Sequence, residues 1–149
     1  MRHLFASLAM TAALAAPVQA AAPMIHDAWV RLPAVAGRPA AAYFTVMGMG
    51  TADRLVEVSS PLATRTEMHT MTMTGGVMKM TPIAGVDIPA RGNVAFKPGG
   101  KRTQDAVKAG RPLPLALRFE KAGTVLVNAK TIAAGDPAPT GDTTGHSAH

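Results

Sequence analysis

The donors that could do chemistry in this sequence are soft ones. Ten methionines and five histidines stand in 149 residues, with no cysteine at all. Thioether sulfur is neutral and polarisable, so it selects Cu(I) over zinc or magnesium, and a neutral imidazole adds a stronger donor. Without thiols, disulfide scaffolds, thiolate zinc sites, iron–sulfur clusters and Cys nucleophiles are excluded. The densest stretch of donors is Glu67-Met68-His69-Thr70-Met71-Thr72-Met73-Thr74-Gly75-Gly76-Val77-Met78-Lys79-Met80. Gly75-Gly76 is a two-residue hairpin signal. A fold-back there pairs Thr74 with Val77, Met73 with Met78, Thr72 with Lys79 and Met71 with Met80. Directly opposed residues share a face, and side chains alternate along each strand. The spacing therefore predicts His69, Met71, Met73, Met78 and Met80 on one face, with Thr70, Thr72, Thr74 and Lys79 on the other.

Two readings of that face compete. Met is a flexible filler of hydrophobic interiors, so the face could be ordinary core with the threonines toward solvent. Alternatively, one imidazole and several thioethers converge on Cu(I), with Met68 as a further donor. Met47 and Met49, in Val46-Met47-Gly48-Met49-Gly50, read as part of a turn near this hairpin, and His26 reads as a surface residue beside the first strand. The chain ends Gly145-His146-Ser147-Ala148-His149. Those two imidazoles suit capture of Cu(II) or completion of the site; the plainer reading is a solubilising terminus.

The elements that must position these donors are short. Strand-like runs recur at 26–31, 41–47, 54–59, 65–73, 76–80, 93–96, 113–119 and 124–130, separated by Gly and Pro turns. In Leu113-Pro114-Leu115-Ala116-Leu117-Arg118-Phe119 every odd position is large and apolar, and Val125, Val127 and Ala129 repeat the pattern. This predicts an all-β antiparallel sandwich or barrel with Leu113, Leu115, Leu117, Phe119, Val125, Val127 and Trp29 in its core. Residues 103–107 suit at most one helical turn. No repeat and no second domain is visible.

The ends of the chain differ from the middle. Met1-Arg2-His3, an apolar run from Leu4 to Ala16 and Val18-Gln19-Ala20 have the form of a signal peptide over 1–20. Cleavage is expected after Ala20, with Ala22 as the alternative. The apolar run falls short of the roughly 20 residues of a membrane span, and no cysteine follows to carry a lipid anchor. A soluble, exported domain over 21–132 is expected, with a disordered tail over 133–149 rich in Ala, Gly, Asp, Pro, Thr and Ser. The net charge is +6, and the basic residues are scattered rather than clustered. With aromatics at 4%, too few to stack bases, nucleic acid is not an expected partner. No Ser/His/Asp pairing, zinc-hydrolase motif or phosphate loop appears, so no enzyme is expected.

From Ala28 to Ile132 the sequence resembles the periplasmic copper chaperones of the PCu(A)C family. The resemblance rests on the order and spacing of several blocks. They include Trp29-Val30-Arg31-Leu32-Pro33, Ala41-Ala42-Tyr43-Phe44-Thr45-Val46, Glu67-Met68-His69, Gly76-Val77-Met78-Lys79-Met80 and Leu115-Ala116-Leu117-Arg118-Phe119-Glu120-Lys121-Ala122-Gly123. It implies a cupredoxin-like Greek-key β-sandwich that carries Cu(I) to a periplasmic acceptor such as components of cytochrome c oxidase assembly. It also implies His69 and Met80 as ligands, with two more expected at positions 102 and 104. Here those positions hold Arg102 and Gln104, and the loop around them is shorter than usual. Arg is cationic and never a ligand, and the Gln side chain offers a hard oxygen. The second half of the copper motif is lost. Two functions follow as alternatives: a copper(I) chaperone or buffer with a weakened site, or a metal-free interaction domain on the same fold.

Overall fold

The alternation over residues 113–119 becomes the middle of the main sheet. The computed structural model describes residues 21–96, 100–103 and 108–139. Eleven strands are found among them: β1 (Met24–Arg31), β2 (Ala41–Met49), β3 (Asp53–Ser59), β4 (Ala63–Thr66), β5 (Met68–Thr74), β6 (Val77–Ile83), β7 (Val86–Ile88), β8 (Arg91–Phe96), β9 (Gly100–Thr103), β10 (Pro112–Phe119) and β11 (Gly123–Ile132). Seven form one sheet in the order β7-β3-β10-β11-β1-β2-β8; β4 pairs with β9, and β5 with β6. The architecture is all-β, as expected. All these pairings are antiparallel except β1 with β11, which run parallel with Trp29 opposite Lys130. Among the described residues no helix is long and apolar enough to cross a membrane.

The outermost strands of the sheet, β7 and β8, are joined by Pro89-Ala90 alone. Their connection draws the two edges together, so the sheet nearly closes into a barrel. Gly48 makes the seam: a Cβ there would sit 1.9 Å from the Pro89 carbonyl oxygen. Just beyond it, the Gly50 N–H donates to the Ala90 carbonyl at 2.7 Å. We expect Gly48→Ala to force this seam apart and cost about 1–3 kcal/mol, the usual range for an overpacked site. Chemical denaturation of the variant checks it.

The core holds Leu113, Leu115, Leu117 and Phe119 as the alternation predicts, with Phe44, Val46, Leu55, Val58 and Ile88 around them. Val125 and Val127 are half-buried against it. Trp29 departs from expectation. It lies outside the core, stacked on Tyr43 with ring centroids 4.0 Å apart and the Arg31 guanidinium 5.3 Å from its ring. The cause is a bulge. Asp27 has φ 53°, and the β1–β2 register shifts between His26 and Trp29. An extra residue in a strand reverses its alternation, so Val30, not Trp29, enters the core.

Other boundaries also moved. The expected strand over 65–73 is two, broken at Glu67, and β7 and β9 were not anticipated. Met47 and Met49 lie within β2 rather than in a turn, and Thr103 belongs to a strand; residues 104–107 lie outside the described residues. At the start of the expected tail, Arg31 Nη1 donates to the carbonyls of Ala134 (3.0 Å) and Asp136 (2.6 Å). The Asp136 carboxylate accepts from the Ala133 N–H at 2.9 Å.

One buried carboxylate ties two parts of the sheet together. Asp53, at the start of β3, accepts from the backbone N–H groups of Arg54 (2.7 Å), Lys121 (3.0 Å) and Ala122 (2.9 Å). It thus anchors the β10–β11 turn. Burial alone would raise its pKa, but the three N–H donors and the Lys121 ammonium outweigh burial and hold it below the usual carboxylate value.

Candidate metal centre

The methionine hairpin folds in the register its spacing predicts. Met71 opposes Met80, Met73 opposes Met78 and Thr74 opposes Val77. Gly75 and Gly76 both have positive φ, 59° and 78°, as a type I′ turn demands and side chains resist. His69 opposes Pro82, so Met80 is its diagonal neighbour on the same face. Such pairs are about 7–8 Å apart and within reach of long side chains.

The hairpin is anchored at its root and projects at its tip. Met68, on the face opposite His69, is 7% exposed and belongs to the core. Its place on the opposite strand face and in the core sets it apart from the exposed methionines, although it lines the same cavity as His69. Beyond the root, Met80, Met78 and Met73 are 51%, 60% and 72% exposed, and the threonine face is exposed as well. The core reading of the methionine face thus fails. Large apolar side chains gathered on an exposed surface mark a contact or ligand surface.

His69 is prepared at one ring nitrogen and bare at the other. Its Nε2–H donates to Glu67 Oε2 at 3.1 Å, and Glu67 Oε1 accepts from Arg65 Nη2 at 2.7 Å. Both the Glu67 and the His69 side chains are largely buried. The Nδ1 atom is buried and has no hydrogen-bond partner. A histidine that binds a metal typically donates its other N–H to a carboxylate, which fixes the tautomer and the ring orientation. The carboxylate at Glu67 leaves the Nδ1 lone pair free. His69 lines a cavity of about 170 Å³ together with Met68, Ile83, Val86, Val94 and Phe96. Sequence reasoning passed over Glu67, although its signal is visible: two positions before His69, it can reach the same side of the chain.

Among the described residues no three His, Asp or Glu side chains gather as a metal cluster. The hairpin offers a nitrogen and thioethers, a donor set that suits a soft monovalent ion. Arg102 lies in β9, which pairs with β4 just ahead of Glu67 and His69. Gln104, His146 and His149 lie outside the described residues.

A family model described as "Putative lipoprotein LpqE-like" matches residues 24–131. The chain belongs to the LpqE-like family. No curated protein sequence matches it. Solved structures do. The copper-bound PCuAC domain from PmoF2 aligns with a TM-score of 0.59 at 21% identity, over 73% of this chain and 91% of that one. The apo PmoF2 PCuAC domain aligns at 0.61 and 22%, over 75% and 90%. Apo-DR1885 from Deinococcus radiodurans aligns at 0.51 and 23%, over 89% and 97%. At these identities the likeness establishes that the LpqE-like chain has the PCuAC, cupredoxin-like fold.

Proposed function

We propose that this protein binds Cu(I) and delivers or buffers it in the periplasm. His69 Nδ1 and the Met80 sulfur are the principal ligands, and Met71, Met73 and Met78 are the neighbours that complete a low-coordinate site. The supporting observation is the buried, unpartnered Nδ1 of His69 on the same hairpin face, by register, as the exposed Met73, Met78 and Met80. The fold shared with a PCuAC domain solved with copper supports the same reading. Copper is cargo here, and no chemistry on a substrate is involved. Exposed thioethers let an acceptor's ligands displace them one at a time. By resemblance, that acceptor belongs to cytochrome c oxidase assembly. Export by the 1–20 signal peptide is part of the proposal.

With Arg102 and Gln104 at the other two ligand positions, affinity should fall below that of a four-ligand domain. A competition titration of Cu(I) against a chromogenic chelator tests this: the expected result is binding weaker by at least 10–100-fold, the cost of losing even a supporting partner. Arg102 favours one rival reading, the metal-free interaction domain, which predicts no competition with the chelator. The tail is a separate matter. We expect His146→Ala combined with His149→Ala to lower Cu(II) uptake and leave Cu(I) binding unchanged, as read by parallel titrations with the two ions.

A further inference from the structure

Two buried side-chain nitrogens without a hydrogen-bond partner stand out among the described residues: Nδ1 of His69 and Nε2 of His26. The second is part of an arrangement that repeats the first on another element. His26 Nδ1–H donates to the Asp27 carboxylate at 2.9 Å, as His69 does to Glu67. Here too the carboxylate fixes the tautomer and leaves the opposite nitrogen bare.

The register of β1 with β2 gives His26 its neighbours. Met24 opposes Met47, and His26 opposes Thr45. Met24 and His26 are two positions apart on β1; Thr45, Met47 and Met49 follow at the same interval on β2. All five therefore share one face. That face is the outer one, because Val46, between Thr45 and Met47, is fully buried in the core. Met24 and Met49 are exposed and Met47 is half-buried. Met49, the last residue of β2, is opposed by Arg91 on β8.

The strained residue of β1 belongs to the same group. Asp27 has φ 53°, unusual for any residue but glycine and best tolerated by Asp and Asn. That backbone goes with the bulge after His26, and bulges commonly re-aim a side chain next to a functional site. The bulge brings the carboxylate onto His26 and turns Trp29 outward, beside Tyr43.

We propose that Met24, His26 and Met47, with Met49 at the rim, form a second site for a soft monovalent metal ion, Cu(I) or Ag(I). One neutral nitrogen and two or three thioethers are the donor set that selects such ions over Zn²⁺ or Mg²⁺. The site is distinct from the hairpin: its donors come from β1 and β2 of the main sheet, and it stands whether or not the hairpin binds copper.

The test uses the purified protein with Ag(I), a redox-inert probe of thioether sites, and ¹³C-labelled methionine methyls followed by NMR. The proposal expects the methyls of Met24 and Met47 to shift on titration, and to do so equally in His69→Ala. It expects His26→Ala, and separately Met24→Leu read at the Met47 methyl, to weaken this event at least 10-fold while the Met78 and Met80 methyls respond as before. If the Met24 and Met47 methyls do not move in the parent, or if His26→Ala leaves their titration within about twofold of the parent, the second site does not exist. Silence of Met78 and Met80 alone would count against the hairpin reading and leave this one standing.

Discussion

His69→Ala should remove Cu(I) from the hairpin. The variant deletes the nitrogen donor of the site and leaves only exposed thioethers, which are weaker ligands held on a projecting arm. Losing a supporting carboxylate typically lowers metal affinity 10–100-fold, so losing the ligand itself should lower it at least 100-fold. Chelator competition gives the affinity, and the Met78 and Met80 methyl resonances report the location. Both should lose their response to Cu(I), whereas the fold stays intact, since the methionine face contributes little to the core. A His69 variant whose hairpin still holds Cu(I) with parental affinity would remove the chaperone reading and favour the metal-free domain. Glu67→Gln is the companion variant. It keeps an oxygen acceptor near Nε2 but loses the charge, so an intermediate loss is expected.

Asp53→Ala should be the most damaging change to stability outside the apolar core. It strips the acceptor from three backbone N–H groups at the junction of β3 with the β10–β11 turn. Hydrogen bonds to a charged group contribute about 1.5–3 kcal/mol each, and buried donors left unpaired carry a further penalty. A loss of about 3 kcal/mol or more is expected, allowing for relaxation of the turn. Urea unfolding at neutral pH measures it. The same group makes stability depend on pH. The folded-state pKa of Asp53 lies below its unfolded value, so the unfolded chain takes up the proton first as pH falls. The stabilisation is present in full above the ordinary carboxylate range, which begins near about 4. It declines as pH drops through that range and is lost below the folded pKa. The Asp53→Ala variant should show a flatter acid limb than the parent, and parallel limbs would contradict this assignment.

The legible parts of this protein are those where a strict period meets a decisive turn. The hairpin register followed from alternate methionines around Gly75-Gly76, and the core of β10 from its alternate leucines. What escaped has a physical reason in each case. The bulge at Asp27 adds one residue to β1 and inverts what alternation predicts, and a single aspartate does not announce it. For that reason alternation alone puts Trp29 inside and does not reveal that Met24, His26 and Met47 share a face. The strands β7 and β9, three and four residues long, are too short for a period to register. Alternation also separates two faces without saying which meets solvent. On the projecting part of the hairpin both do, so only the fold could decide against a methionine core.

The parallel pairing of β1 with β11 has a bearing on how the molecule comes to exist. Trp29 and Lys130 are neighbours in the sheet yet stand at opposite ends of the domain's sequence. The strand nearest the amino end can pair with β2 early, but it cannot find this second partner until nearly the whole chain is available. Structures dominated by such distant pairings fold in milliseconds to seconds, far more slowly than helical bundles. Until the last strand arrives, β1 and β10 both lack their shared neighbour and present open edges, which are templates for association with other chains. The domain should therefore acquire its structure late and all at once. A truncation that removes β11 should yield an aggregating chain rather than a smaller folded one.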